Sequence, residues 1–169
     1  MKKIAIGFLL GLLGFTSYAE TLWGKTEIGD PLWAVKIAYP SGEDIPPNEA
    51  NIVKKTGAML LYRISGVEIN QDKFNAGFSF INGKLAQVTL ASKLQVTGDQ
   101  CFYKHSQLIE ALKSKYGAPI SADLSSGMMR KALFQSGSVS ISAHVFAASN
   151  DCRLDVYYTT TLSDAAKNL

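Results

Sequence analysis

The sequence predicts an α+β fold: an antiparallel sheet with two helices packed on one face. Three observations predict it. A helical stretch ending at Tyr39-Pro40 is followed by three strand-like stretches, and a second ending at Tyr116-Gly117-Ala118-Pro119 is followed by three more. The strand stretches alternate apolar and polar residues with period two. Asn82-Gly83 and Ser136-Gly137 supply hairpin turns. The order reads as two α-β-β-β units, in halves of about 21–95 and 96–161. Identity between the halves is negligible, so the repeat is one of kind. One irregular sheet with two unrelated helices is the alternative.

The elements follow in order. Residues 21–28 read as an extended entry. Asp30-Pro31 reads as a helix start, with Asp as cap and Pro at the first helical position. Leu32, Trp33, Val35, Ile37 and Ala38 give a short apolar helix, which the residue before Pro40 ends. Residues 41–49 hold Gly42, Pro46 and Pro47 and read as a loop. Residues 58–64 read as a buried strand, with 67–69 as its extension.

Phe74, Ala76 and Phe78 alternate with Asn75, Gly77 and Ser79 before Asn82-Gly83; Ala86, Val88 and Leu90 alternate with Leu85, Gln87 and Thr89 after it. A two-residue loop pairs Ile81 with Lys84 and sets the phenylalanines beside Leu85, Gln87 and Thr89. A three-residue loop pairs Phe80 with Lys84. It puts Phe74, Ala76, Phe78, Ala86, Val88 and Leu90 on one face. A one-residue slip flips every side chain, so the apolar pattern selects the three-residue loop with a bulge.

Thr97 and Gln100 have capping-box spacing and open the second helix. Cys101, Phe102, His105, Leu108, Ile109, Leu112 and Tyr116 fall within an arc of about 120°, a buried stripe. Gly117 ends the helix. Strands follow at 128–135, 138–145 and 153–158. Residues 162–169 read as a tail or a last helical turn.

Where the protein works is more legible than what it does. Lys2 and Lys3, an apolar run over 4–15 and Ser17-Tyr18-Ala19 have the pattern of a secretory signal peptide, residues 1–19, cut between Ala19 and Glu20. A membrane-spanning helix needs about 20 apolar residues, more than this run has. The expected product is a single domain, residues 20–169, periplasmic or secreted and not membrane-spanning. Loss of Lys2 and Lys3 leaves 15 basic against 14 acidic residues. That balance has no basic stripe, so nucleic acid is not an expected partner.

Cys101 and Cys152 are an even pair in an exported chain, which predicts one disulfide. Closing a loop of about fifty residues contributes about 4 kcal/mol in the chain-entropy model. Neither CxxC nor a zinc spacing is present.

Phe80-Ile-Asn-Gly-Lys-Leu-Ala-Gln-Val-Thr-Leu90 and Leu112-Lys-Ser-Lys-Tyr-Gly-Ala-Pro119 are similar to segments in many small secreted bacterial proteins. The order of elements, in an exported chain with a disulfide, resembles the β-lactamase inhibitor protein architecture. It is also similar to the small BamE-type envelope modules, which use one such unit. The chain departs from them in having one possible disulfide and no lipid-anchor cysteine. The resemblance implies modules that bind other proteins through a sheet face or loops, and it carries over no functional residues.

Motifs that carry chemistry are few. GxSxG, Walker-type and dinucleotide glycine motifs are missing from the sequence. The two histidines are His105, on the apolar helix face, and His144, on the serine side of a strand; each has a structural reading as a core and a surface residue. The acids are scattered, without a paired-carboxylate pattern. No catalytic residue, metal ligand or cofactor is expected.

The expected role is non-enzymatic binding of another envelope or secreted protein, as an inhibitor, an immunity factor or an assembly accessory. The candidate surface is the outer sheet face, with Gln87, Thr89, Ser140, Ser142, His144, Arg153 and Tyr157; Ser79 and Asp155 share it. Tyr and Arg among small polar groups suit protein recognition, although a solvated sheet face reads the same way. Loop 41–49 is a second candidate. A small-ligand or lipid carrier, with a groove lined by Phe78, Phe80 and Tyr116, is the alternative function, and a hydrolase a further one.

Overall fold

A computed structural model describes residues 20–160, apart from Lys55 and Ser126. The signal peptide expected over residues 1–19 and the tail or helical turn expected over 162–169 lie outside the described residues. The fold is α+β, with antiparallel sheets of two and eight strands and two helices. In chain order the elements are β1 (Thr21–Trp23), β2 (Thr26–Glu27), α1 (Leu32–Ala38), β3 (Glu43–Asp44), β4 (Met59–Ile69), β5 (Asp72–Ile81), β6 (Lys84–Gln95), α2 (Gly98–Tyr116), β7 (Ser121–Asp123), β8 (Met129–Ser136), β9 (Val139–Ala148) and β10 (Asp151–Thr160). β1 and β2 form a ribbon. The large sheet has the order β3-β4-β5-β6-β10-β9-β8-β7. The meander β4-β5-β6 and the meander β8-β9-β10 therefore meet at β6 and β10.

The register defines two faces. Tyr62, Phe78, Val88, Tyr158, Ile141 and Phe134 make one transverse row across the sheet. All six are buried. α2 packs Cys101, His105, Leu108, Ile109 and Leu112 onto this inner face over β8, β9 and β10. Its end is pinned where Tyr116 meets Tyr158 edge-on at 6.3 Å. α1 is much shorter and fully buries only Val35. The ribbon supplies the rest of the cover over this half. Trp23 stacks on Tyr39 at 5.7 Å, and Tyr39 lies 5.4 Å from Phe78.

Several expectations change. The β5–β6 loop has two residues: Ile81 pairs with Lys84, and Asn82 and Gly83 have φ of 50° and 76°, the left-handed pair a tight hairpin requires. The three-residue loop is thus incorrect. Phe74, Ala76, Phe78, Val88 and Leu90 still share the expected face because Phe80 pairs with Leu85 while Ser79 pairs with Gln87; Ala86 is left as the extra residue and buried Leu85 takes its expected place. Without that bulge Phe74, Phe78, Val88 and Leu90 would not meet on the inner face, at about 1.5–3 kcal/mol each.

Asp30 does not cap α1; its carboxylate accepts from the Glu27 N–H at 2.8 Å and closes the preceding turn. Thr97 makes no side-chain cap on α2 either, so packing of the buried stripe carries that helix. Residues 41–49 are not wholly loop, since β3 pairs Glu43 with Arg63 and Asp44 with Tyr62. β7 was not expected from the sequence.

Cys101 and Cys152 form the disulfide, with Cα atoms 5.5 Å apart across 51 positions of sequence. It ties the first turn of α2 to the start of β10. Among the described residues no helix is long and apolar enough to cross a membrane.

Candidate functional site

The outer face is built by alternation. β10 presents Arg153, Asp155, Tyr157 and Thr159 there, because Cys152, Leu154, Val156 and Tyr158 point inward and are buried. β9 presents Ser140, Ser142, His144 and Phe146 for the same reason. The register sets Tyr157 between Ser142 and Thr89, and Thr159 between Ser140 and Gln87. Gln87, Thr89, Ser140, Ser142, His144, Arg153 and Tyr157 therefore share one face, and Ser79 joins them opposite Gln87.

They are not equally accessible. His144 and Arg153 are exposed; Thr89, Ser140, Ser142 and Tyr157 are half-buried. Gln87 and Ser79 are buried, each 2% exposed. The Gln87 amide donates to the Thr89 hydroxyl at 2.9 Å. This bond satisfies a buried donor and ties Gln87 to Thr89 on the same face.

The exposed members gather at the β9–β10 end. Arg153 Nε donates to an Asp155 carboxylate oxygen at 2.8 Å, and Asp155 is only 8% exposed. His144 pairs with Asp155 in register and stands edge-on to the Tyr157 ring at 5.3 Å. Bonding to Asp155 raises the Arg153 pKa and keeps its charge. Burial first, then the Asp155 charge, raises that of Tyr157, which holds the phenol protonated.

Asp123, Met129, Lys131 and Phe146 join these residues in lining a hollow of about 430 Å³. Met129 and Phe146 are 64% and 40% exposed and face each other across β8 and β9. The sequence reading missed these four. Alternation with Ala132 and Phe134 already placed Met129 and Lys131 outward; Asp123 sits on the unexpected β7.

The other candidates lie elsewhere. His105 is 1% exposed on the inner face. Its ring bonds to the Ala143 backbone, and its Nε2 has no hydrogen-bond partner. Burial, then Arg130 and His144, lowers its pKa to about 4. Arg130 lies with its guanidinium carbon 3.8 Å from the centre of the Phe102 ring.

Phe78 and Phe80 are buried in the core, and Phe78 is packed by Trp23, Tyr39 and Tyr62. In the 41–49 segment, Asp44 pairs with Lys36 at 2.6 Å and Glu43 with Arg63 at 3.6 Å. Among the described residues, no three His, Cys, Asp or Glu side chains are grouped to hold a metal ion. Compared with known proteins, the chain matches no family model, no curated protein and no solved structure.

Proposed function

We propose that this chain is exported, loses residues 1–19, and acts in the periplasm or outside the cell as a non-enzymatic protein-binding module. The binding surface is the outer sheet face around Tyr157. One observation carries this reading: Arg153, Tyr157 and His144 stand beside exposed Met129 and Phe146 on strands braced from beneath. Arg, Tyr, Phe and Met are the side chains that interface centres favour. The interior strands β8, β9 and β10 hold their backbones with little freedom left to lose on binding.

Export is supported by the leader pattern and by the buried disulfide, which suits an oxidising compartment. Cleavage before Glu20 leaves that residue's contacts intact. Its carbonyl accepts from the Ile28 N–H at 2.9 Å, and its carboxylate accepts from the Ser138 N–H at 3.0 Å. The meeting of β6 and β10 favours construction from two α-β-β-β units, each contributing its third strand to the centre. That arrangement gives one broad face, the surface the resemblance to inhibitor and envelope modules implies.

A photo-crosslinking residue at His144, in the envelope of the source cell, is expected to capture one defined protein. The same group at Glu110, on the exposed side of α2, is expected to capture none. Equal capture from both positions, or none from His144, contradicts the reading.

A further inference from the structure

The two edges of the large sheet differ. At the β3 edge, Glu43 and Asp44 are exposed and charged, and their pairing with Arg63 and Lys36 leaves an edge that repels added strands. At the β7 edge, Ser121–Asp123 pair with β8, and among the described residues no strand covers the other side. Ile120 and Leu124 flank β7 and are 63% and 47% exposed. Open backbone groups bracketed by exposed apolar side chains are a template for another strand.

We propose that β7 is a self-association edge, where two copies of this chain pair Ile120–Leu124 antiparallel and join their sheets. The segment is self-complementary about Ala122. In that register Ile120 lies opposite Leu124 of the second copy, and Ser121 lies opposite Asp123. The apolar pairs fall on one side of the joined sheet, and each Asp123 meets a hydroxyl. A slip of two residues that centres the pair on Asp123 sets two like charges face to face, which is unfavourable.

Symmetry also selects the occupant. Pairing β7 with the two-residue β3 edge of another copy would continue as an open chain, whereas pairing β7 with β7 closes as a two-fold dimer. The edge is short, so the dimer depends on concentration. This inference does not rest on the outer-face reading.

Sedimentation velocity over a concentration series tests it, with three variants of the purified chain. Ser121 is exposed, so Ser121→Asp and Ser121→Lys are expected to leave the circular dichroism spectrum unchanged. The native chain is expected to dimerise. Ser121→Asp, which sets a carboxylate against Asp123 twice per dimer, should weaken the dimer about tenfold. Ser121→Lys, which sets a cation there, should keep or tighten it. Ala122→Cys, on the two-fold axis, should give a disulfide-linked dimer on oxidation. A chain that stays monomeric at every concentration, or dimerisation indifferent to the sign of charge at 121, overturns the proposal.

Discussion

His105 shows how one buried side chain can set the pH response of the molecule. It packs under α2 with one ring nitrogen bonded to the Ala143 backbone and the other without a partner. Burial, then the Arg130 and His144 charges, lowers its pKa from the ordinary 6.5 to about 4. The unfolded chain therefore binds more protons than the folded chain between those two values. The contribution is fully present above pH 6.5 and is lost as pH falls towards 4, up to about 3 kcal/mol. Denaturant titrations at pH 7 and pH 4.5 should show this loss, and His105→Leu should remove most of the difference. A His105→Leu chain with the native pH dependence would place its origin elsewhere. Gln87 makes a related point. Alternation assigned its face from the sequence, but its burial depends on strands distant in the chain.

Hairpins were legible at the scale of the element, with limits. The Asn82-Gly83 turn and the apolar alternation around it are local signals, and both halves of the hairpin formed. The loop length was not legible because two devices set Phe74, Phe78, Val88 and Leu90 on one inner face: a longer loop, or a tight loop followed by a bulge. The chain uses the second, with Ala86 as the extra residue.

The β4–β5 turn offers a test of the same chemistry. Asn70 and Gln71 have φ of 49° and 71°, close to Asn82 and Gly83, yet the second position holds glutamine where the other turn has glycine. A non-glycine residue there is strained. Gln71→Gly relieves this and is expected to stabilise the fold by about 0.5–1 kcal/mol, read as a higher denaturant midpoint. An unchanged or lower midpoint would mean that the Gln71 side chain offsets the strain. α2 was the easiest element to read, because its stripe and terminal Gly117 are local patterns. β3 and β7 were invisible, since strands of two and three residues carry almost no period-two signal.

For the whole molecule, the fold class followed from the order of elements, and the strand order did not. Pairing β6 with β10 joins Gln95 to Asp151, a contact that no local pattern encodes. The ribbon's place as cover for the β4–β6 half was equally hidden. Trp23 and Tyr39 settle over Phe78 only once the sheet exists. The disulfide was legible because a chain with two cysteines has a single possible internal pairing. The candidate face was legible in its central strands, where alternation assigns sides, and incomplete at its β7–β8 rim, which supplies Met129, Lys131 and Asp123.

In the proposed function the outer face binds a protein through Arg153, Tyr157 and their apolar neighbours. The most direct measurement is the affinity of the crosslinked partner for Tyr157→Ala and Arg153→Ala chains, beside an exposed control, Lys115→Ala, on α2. Loss of about tenfold or more at Tyr157 and Arg153, with the control unchanged, is the expected result. Native affinity in both face variants would contradict the claim.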